Sequence, residues 1–169
     1  MIKMFNGHQE FKDNNLIKSF ETDMGYDIRT PVGIHLLPRE NVIVDTQLHV
    51  KIPSILGGLI KTKSGIGINH SVECSNAGVI DSGFTGSVKV KLYNNGKQVF
   101  SIKPGRRFCQ MLFVIKPEMF FHLLRENSNQ WSAFSMLLES LSFGIEEQDI
   151  ALWDSTDRST GGLGHTGLM

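Results

Sequence analysis

The sequence predicts an all-β fold, a sandwich or a barrel, for about its first two-thirds. Two segments, residues 42–52 and 87–93, alternate apolar and polar positions with a period of two, which is typical of strands with one buried face. Turn-forming Gly, Pro and Asn residues separate such segments along the chain. Many short strands joined by turns indicate a sandwich or barrel, and no internal repeat is visible.

The clearest strand covers residues 42–52, where valine, threonine, leucine and isoleucine take the even positions. Residues 87–93 repeat the pattern, with valines and a leucine between lysines. Asn94-Asn95-Gly96 is a tight-turn signal, so we expect residues 98–102 to pair with residues 87–93 as a hairpin. After the next Pro-Gly turn, residues 108–115 are almost all apolar, which predicts a strand buried on both faces.

The apolar pattern changes near residue 117, and residues 120–150 are predicted to form a helical insert. Asn129 is a candidate helix N-cap and Gly144 a candidate helix end. Between them one apolar stripe at helical spacing consists of Trp131, Phe134, Leu138 and Leu141. The stripe predicts a helix packed on the flank of the β domain, and the alternative is a docking surface for a partner protein. Residues 1–119 then form the β core and residues 151–169 a glycine-rich C-terminal arm.

Composition limits the class of protein. A length of 169 residues predicts a single domain. The formal net charge is zero, so we expect no electrostatic preference for nucleic acid or membrane. The basic run at residues 103–107 is typical of a solvated turn. The two cysteines, Cys74 and Cys109, fit a reducing compartment and are not spaced for zinc. No segment has the length of a signal peptide core or a membrane span. We therefore expect a cytoplasmic protein, or one in the host-cell interior if it is viral.

Six short segments in a fixed order point to a function. The central one is Gly78-Val79-Ile80-Asp81-Ser82-Gly83-Phe84-Thr85-Gly86, where an aspartate beside glycines would by itself be typical of a turn. The full set is residues 24–28 (Met-Gly-Tyr-Asp-Ile), 63–65 (Lys-Ser-Gly), 76–81 (Asn-Ala-Gly-Val-Ile-Asp), Phe84, 105–110 (Gly-Arg-Arg-Phe-Cys-Gln), and Asp157-Arg158 with the glycine-rich tail. Together these segments resemble, in residues and order, the five motifs of the trimeric dUTPase family.

The resemblance implies a β-clip barrel or jelly roll that assembles as a homotrimer with shared active sites. It also implies hydrolysis of dUTP to dUMP and pyrophosphate, with Mg²⁺ held by phosphates and water rather than by protein ligands. Asp81 would be the base that activates water, and Asp27 would support the same site. The implied substrate-binding residues are Lys63, Ser64, Gly65, Asn76, Gly78, Phe84, Gln110, Arg158, Gly162, Leu163 and Gly164.

These residues divide by the part of the substrate that each would bind. Ser64 and the amides near Gly65 would bind phosphate oxygens, and Arg158 would clamp the γ-phosphate. A hairpin at residues 75–79 would present backbone groups to uracil, with Phe84 beneath the deoxyribose. Three family residues differ here: Lys63 replaces an arginine, Leu163 replaces a phenylalanine that stacks on the base, and Ser159 replaces the glycine after the tail arginine. The first two changes would weaken contacts with the substrate, and none of the three removes the catalytic base.

Two alternatives remain open from sequence alone. The dCTP deaminase family shares the fold and a segment like Ser82-Gly83-Phe84, but its members need a glutamate at the position of Lys91. The second alternative is a dual-role or non-catalytic dUTP-sensing protein that regulates a partner through the 120–150 insert. A glycine-rich C-terminus is by itself most typical of a disordered tail, so the arm acquires a role only through the resemblance.

Overall fold

The computed structural model describes residues 2–7, 16–74, 78–126, 135 and 145–147. Strands dominate these ranges, and the two helices within them are α1 (Ser64–His70) and α2 (Pro117–Glu126). The strands are β1 (Ile2–Asn6), β2 (Tyr26–Arg29), β3 (Ile34–Leu36), β4 (Asn41–Lys51), β5 (Leu56–Thr62), β6 (Val72–Cys74), β7 (Val79–Ile80), β8 (Ser87–Asn94), β9 (Phe100–Ile102), β10 (Arg107–Ile115) and β11 (Ile145–Glu147). Neither of these helices has the length and apolar character needed to cross a membrane.

The strands form two larger sheets and one small sheet. The first has the order β11-β1-β4-β8-β6, the second the order β2-β10-β5-β7, and β3 pairs with β9. The pair β1–β11 is parallel, and the other pairs between these strands are antiparallel. The all-β class predicted from sequence is therefore confirmed.

The predicted strands at residues 42–52 and 87–93 are confirmed as β4 and β8. They pair with each other, and their alternate side chains are buried in the core. Leu48, Val88 and Leu92 have no exposed surface, whereas Lys89 and Lys91 between them are exposed. Full burial of each such aliphatic side chain stabilises the fold by roughly 1.5–3 kcal/mol, so this period-two pattern fixes which face of the sheet meets the core.

The predicted hairpin between residues 87–93 and 98–102 is wrong. β9 pairs with β3, with Ile34 opposite Ile102. The end of β8 already has a partner on each edge, because Leu92 pairs with Val42 of β4 and also with Cys74 of β6. No backbone edge is left for residues 98–102 at that point, so the chain leaves this sheet after the turn.

Asn94 holds the three segments that meet at this turn. Its side chain is fully buried, and its Nδ2 donates hydrogen bonds to the carbonyl oxygens of Leu36 (3.0 Å) and Gln98 (2.9 Å). Its Oδ1 accepts a hydrogen bond from the Gly96 N–H at 2.9 Å. One amide therefore supplies hydrogen bonds to the end of β3, to the turn and to the segment before β9.

The apolar run at residues 108–115 is confirmed as a strand, β10, which lies between β2 and β5. Phe108, Cys109 and Met111 are fully buried, while Ile115 is exposed. Burial on both faces therefore holds for the first half of the strand and is lost towards its end.

The 120–150 segment is described only in part. α2 covers its first residues, and residues 145–147 form β11 beside β1, so that short stretch is strand rather than helix. Asn129, the apolar stripe from Trp131 to Leu141, Gly144 and the arm at residues 151–169 lie outside the described residues.

We expect Asn94→Ala to lower the free energy of unfolding by about 2–3 kcal/mol, because it leaves buried carbonyl groups without their donor. Urea unfolding followed by circular dichroism at a fixed protein concentration measures the change. Asn95→Ala is the matched control, since the Asn95 side chain is exposed and donates to the exposed Glu73 carboxylate, and it should stay within about 0.5 kcal/mol of the parent. Equal losses in the two variants would contradict this role of Asn94.

Candidate functional site

Asp27, on β2, is the buried centre of a cluster of charged side chains. Its Oδ1 lies 2.6 Å from the Lys63 Nζ, and its Oδ2 lies 3.1 Å from an Nη1 atom of Arg107. The Asp27 side chain is 6% exposed, whereas the side chains of Lys63 and Arg107 are 33% and 34% exposed. One carboxylate therefore orients two cations, each of which keeps part of its surface open to solvent.

Three strands bring these residues together. β2 pairs with β10 so that Asp27 is opposite Gln110, and β10 pairs with β5 so that Gln110 is opposite Lys61. Lys63 follows the end of β5 directly. Strand register thus places the predicted site residues Asp27, Lys63 and Gln110 side by side.

Gly25 allows the Gln110 side chain to lie against the segment before β2. A Cβ atom at position 25 would lie 2.5 Å from the Gln110 Oε1, a separation that no real side chain shows. The Gln110 Nε2 donates a long hydrogen bond, 3.5 Å, to the carbonyl oxygen of Thr62. A side chain at position 25 would therefore require the Gln110 side chain to move.

A cleft of about 340 Å³ beside the Asp27 cluster is lined by Arg29, Lys63, Arg106 and Arg107. Arg29 donates from Nη1 to the Gly105 carbonyl oxygen at 2.7 Å, while its buried Nε has no hydrogen-bond partner among the described residues. Four cations against one carboxylate make this cleft suited to a polyanion, because guanidinium groups bind phosphate oxygens well.

The three arginines of this cleft are not among the predicted site residues. Arg106 and Arg107 lie in the motif at residues 105–110, but as part of a basic run they are also typical of a solvated turn. The sequence does contain a signal for Arg29. It lies two residues after Asp27, and residues two apart in a strand share one face of the sheet. Arg107 is also opposite Arg29 in the β2–β10 pair.

Ser64 and Gly65 are the first residues of α1, directly after Lys63, and both are exposed. A Cβ atom at Gly65 would meet nothing within 4 Å. The chain itself therefore leaves room beside this backbone for a group of another molecule.

Tyr26 lies next to Asp27 on β2 and packs against β10. Its ring packs edge-on against Phe113 at a centroid distance of 5.7 Å, and the Lys18 Nζ lies 4.9 Å from its centroid. Burial raises the pKa of Tyr26 further above a value at which a phenol is already protonated at neutral pH, so the side chain is uncharged there.

The second group of predicted residues lies around Asp81, which directly follows β7. β7 pairs with β5 so that Ile80 is opposite Gly58. A Cβ atom at Gly78 would lie 2.9 Å from the Ile60 carbonyl oxygen, so glycine is needed where this segment meets β5. The turn after Asp81 is closed by a hydrogen bond from the Phe84 N–H to the Asp81 carbonyl oxygen (3.0 Å).

Two further contacts fix this turn. Lys116 donates from Nζ to the Ser82 Oγ at 2.9 Å, and Lys116 itself is held through its N–H to the Ile55 carbonyl oxygen at 2.8 Å. Phe84 is half-buried and packs against the core. The Asp81 turn is therefore supported from both β5 and the start of α2.

The two groups lie towards opposite ends of β5. Gly58, opposite Ile80, is five residues before Lys63, which corresponds to roughly 16 Å along an extended strand. Because β7 is antiparallel to β5, Asp81 lies beyond Ile80 on the side away from Lys63. The described part of one chain thus brings Asp27, Lys63 and Gln110 together but keeps Asp81 and Phe84 apart from them.

Five predicted site residues, Asn76, Arg158, Gly162, Leu163 and Gly164, lie outside the described residues. Within the described ranges, no three His, Cys, Asp or Glu side chains converge in a way that could hold a metal ion.

Comparison with known proteins gives a consistent result. The dUTPase family profile matches residues 13–135. The deoxyuridine 5'-triphosphate nucleotidohydrolase of Finegoldia magna is 30% identical over 161 residues, covering 92% of this chain and 94% of the relative. The Klebsiella pneumoniae enzyme of the same name is 32% identical over 148 residues, covering 85% of this chain and 80% of the relative.

Solved structures show the same architecture. An EIAV dUTPase superposes with a TM-score of 0.60 at 22% identity, covering 77% of this chain and 94% of that one. The dUTPase of S. aureus phage phi11 superposes with a TM-score of 0.59 at 21% identity, covering 69% of this chain and 91% of that one. At these identities the likeness establishes the fold, and the predicted dUTPase-like β-barrel is confirmed.

We expect Asp27→Asn to lower the free energy of unfolding by about 1–3 kcal/mol, less than the full loss of a buried ion pair because both cations stay partly solvated. Asp23→Asn is the matched control, since the Asp23 carboxylate accepts hydrogen bonds only from the N–H groups of Ser19 and Phe20, which an amide oxygen can also accept. Chemical denaturation of both variants tests the difference. A change as large in Asp23→Asn would show that Asp27 has no special part in stability.

Proposed function

The chain belongs to the dUTPase family and hydrolyses dUTP, and we propose that it does so by attack of water on the α-phosphorus with Asp81 as the base. The observation that supports this most strongly is the cationic cleft. It offers four positive side chains to a triphosphate, and the buried Nε of Arg29 is a donor with no partner among the described residues. Ser64 and Gly65, exposed next to Lys63, extend the same phosphate site.

The proposed reaction needs one base and strong stabilisation of developing charge. Asp81 accepts a proton from water as the oxygen attacks, the bond between the α-phosphorus and the bridging oxygen breaks, and pyrophosphate leaves. The cations of the cleft stabilise the negative charge that develops on the pyrophosphate leaving group. Asp27 keeps Lys63 and Arg107 in place for this task, so its role is to position cations rather than to share the work of the base.

The residues around Asp81 select the base and the sugar of the substrate. The 75–79 hairpin, of which Gly78 lies against β5, presents backbone donors and acceptors to the pairing edge of uracil. Cytosine inverts the donor pattern at that edge and would leave buried polar groups unpaired, which is a strong basis for rejection. Asn76 contributes to this hairpin, and Phe84 packs beneath the deoxyribose.

Each active site is shared between subunits of a homotrimer. The separation of roughly 16 Å between the two groups along β5 supports sharing, because Asp81 and the cations of the cleft must act on the same triphosphate, whose phosphorus atoms lie much closer together than that. Asp81 of one subunit then faces the cationic cleft of another. The arm at residues 151–169 closes this site, with Arg158 on the γ-phosphate and Gly162, Leu163 and Gly164 passing over the nucleotide.

Magnesium enters with the substrate. The solved phage phi11 dUTPase is described as coordinating a structural Mg(II) ion. In this chain the cleft beside Asp27 is cationic, and Asp27 already binds two cations. The donor set therefore suits an Mg²⁺ ion held by phosphate oxygens and water, which neutralises charge on the triphosphate.

The remaining assignments follow from this function. Residues 1–119 form the catalytic core, residues 120–150 an insert and residues 151–169 the closing arm, in a cytoplasmic enzyme. Lys91 is exposed on β8, where a deaminase would need a glutamate, so deamination of dCTP is not supported. A regulatory role through the insert has no specific observation in its favour, because most of that segment lies outside the described residues.

We expect Asp81→Asn to lower kcat for dUTP by about 10²–10⁴-fold, the usual contribution of a general base, while dUTP binding persists. Pyrophosphate release with Mg²⁺ is measured for dUTP, dCTP, dTTP and UTP, and binding is measured by calorimetry. Glu40→Gln is the control, since the Glu40 side chain is exposed and its carboxylate accepts a hydrogen bond from the Leu37 N–H, which an amide oxygen can also accept. Full turnover by Asp81→Asn would remove Asp81 from the mechanism, and ammonia release from dCTP would indicate a deaminase.

Shared sites predict that two inactive variants can rescue each other. When Asp81→Asn and Lys63→Met subunits are mixed, unfolded and refolded together, each mixed trimer should contain one intact site and regain part of the activity. A mixture of Lys63→Met with Gln110→Ala should stay inactive, because both changes fall in the same half of the site. Absence of rescue in the first mixture would show that each site is built within one chain.

A further inference from the structure

The two cysteines of the chain lie in contact with each other. Cys109, in the middle of the central strand β10, is fully buried, whereas Cys74, the last residue of β6, is partly exposed. Both are free thiols, and each is close enough to shift the pKa of the other. Because the sequence contains only these two cysteines, each thiol has a single possible partner within the chain.

Thr62 provides independent evidence for this contact. Its Cα is the pairing partner of Cys109 across the β5–β10 pair. Its Oγ1 accepts a hydrogen bond from the Cys74 N–H at 2.6 Å. One residue of β5 thus holds the end of β6 beside β10, and this places Cys74 near Cys109.

The two thiols differ in reactivity. The hydrogen bond from Cys109, with smaller contributions from Thr62 and Lys61, lowers the pKa of Cys74 despite burial and the neighbouring Glu73. Burial raises the pKa of Cys109 well above its usual value, and Cys74 and Asp27 raise it further, while Lys63 acts in the opposite direction. Cys74 is therefore the thiolate that reacts first, and Cys109 stays protonated as its hydrogen-bond donor.

We propose that Cys74 and Cys109 form a peroxide-sensitive pair that closes reversibly to an intramolecular disulfide beside the cationic cleft. The oxidant is a hydroperoxide. The Cys74 thiolate attacks its terminal oxygen, the O–O bond breaks, and Cys74 becomes a sulfenic acid. The remaining oxygen leaves with the electron pair of that bond and takes up a proton from water, which gives an alcohol, or water when the oxidant is hydrogen peroxide. The sulfur of Cys109 then displaces hydroxide from that sulfenic acid, its proton leaves with the hydroxide as water, and the S–S bond forms.

The disulfide would act on both halves of the site. Cys109 is next to Gln110 and two residues from Arg107, and Cys74 immediately precedes the segment assigned to the uracil hairpin. An S–S bond is about 2.05 Å long, so closure draws the end of β6 towards β10 from non-bonded contact. A shift of about 1 Å in groups that position a substrate can cost up to about hundredfold in rate. This effect on turnover rests on the proposed function, whereas disulfide formation does not.

Titration of the reduced protein with hydrogen peroxide tests the proposal. We expect both thiols to disappear together, with a mass lower by two hydrogen atoms and with no cross-linked dimer on non-reducing gels. A peptide that joins Cys74 to Cys109 should appear after digestion, and dithiothreitol should reverse the change. In Cys109→Ala, Cys74 should be oxidised to sulfenic and sulfinic acid instead, and in Cys74→Ser the buried Cys109 should stay reduced.

Activity is measured on the same samples. Turnover of dUTP by the oxidised parent should fall at least about tenfold and return with dithiothreitol, while Cys74→Ser should keep its turnover in peroxide. Independent oxidation of the two thiols, or a disulfide only between chains, would overturn the pairing. A fully disulfide-bonded protein with unchanged turnover would overturn the coupling to the site. Failure of the proposed function is distinguishable, because the reduced parent would then show no turnover before peroxide is added.

Discussion

The arrangement of the site depends on one buried carboxylate between two cations. Without Asp27, Lys63 and Arg107 would repel each other across a partly dehydrated space, and attraction to the carboxylate reverses that repulsion. Burial of a charge is costly unless its hydrogen-bonding capacity is used, and here both carboxylate oxygens have a cationic donor. The same contacts join β2, the end of β5 and β10, so the geometry of the cleft and the register of three strands support each other.

β10 contributes side chains both to the core and to the candidate site. Phe108 and Met111 are fully buried, while Arg107 and Gln110 in the same strand face the site. Because neighbouring strands flank β10 on both sides, its side chains have little freedom to shift. Site residues on such a strand are held more rigidly than residues on a loop, which suits groups that must meet a charged substrate without rearrangement.

Sequence alone predicted the features that depend on local pattern or on motif order. Period-two alternation predicted β4 and β8, and motif order predicted one site that includes Asp27, Lys63 and Gln110, which the register of β2, β10 and β5 brings together. The hairpin prediction failed because a turn signal cannot show that β4 and β6 already occupy both edges of β8 near its end. The cleft arginines were missed because a basic run is equally compatible with solvent, and only the pairing of β2 with β10 brings Arg29 beside Arg107.

The parallel pair of β1 and β11 fixes where the last part of the chain starts. Glu147 is opposite Met4 at the edge of the five-stranded sheet, and Arg158 follows eleven residues later. Covalent geometry limits that tether to at most about 40 Å, at roughly 3.6 Å per residue. An anion site farther than this from Glu147, on whichever subunit, is out of reach of the Arg158 backbone. Shortening the segment between Glu147 and Arg158 would therefore change which sites the arginine can reach, while the contacts within those sites stay the same.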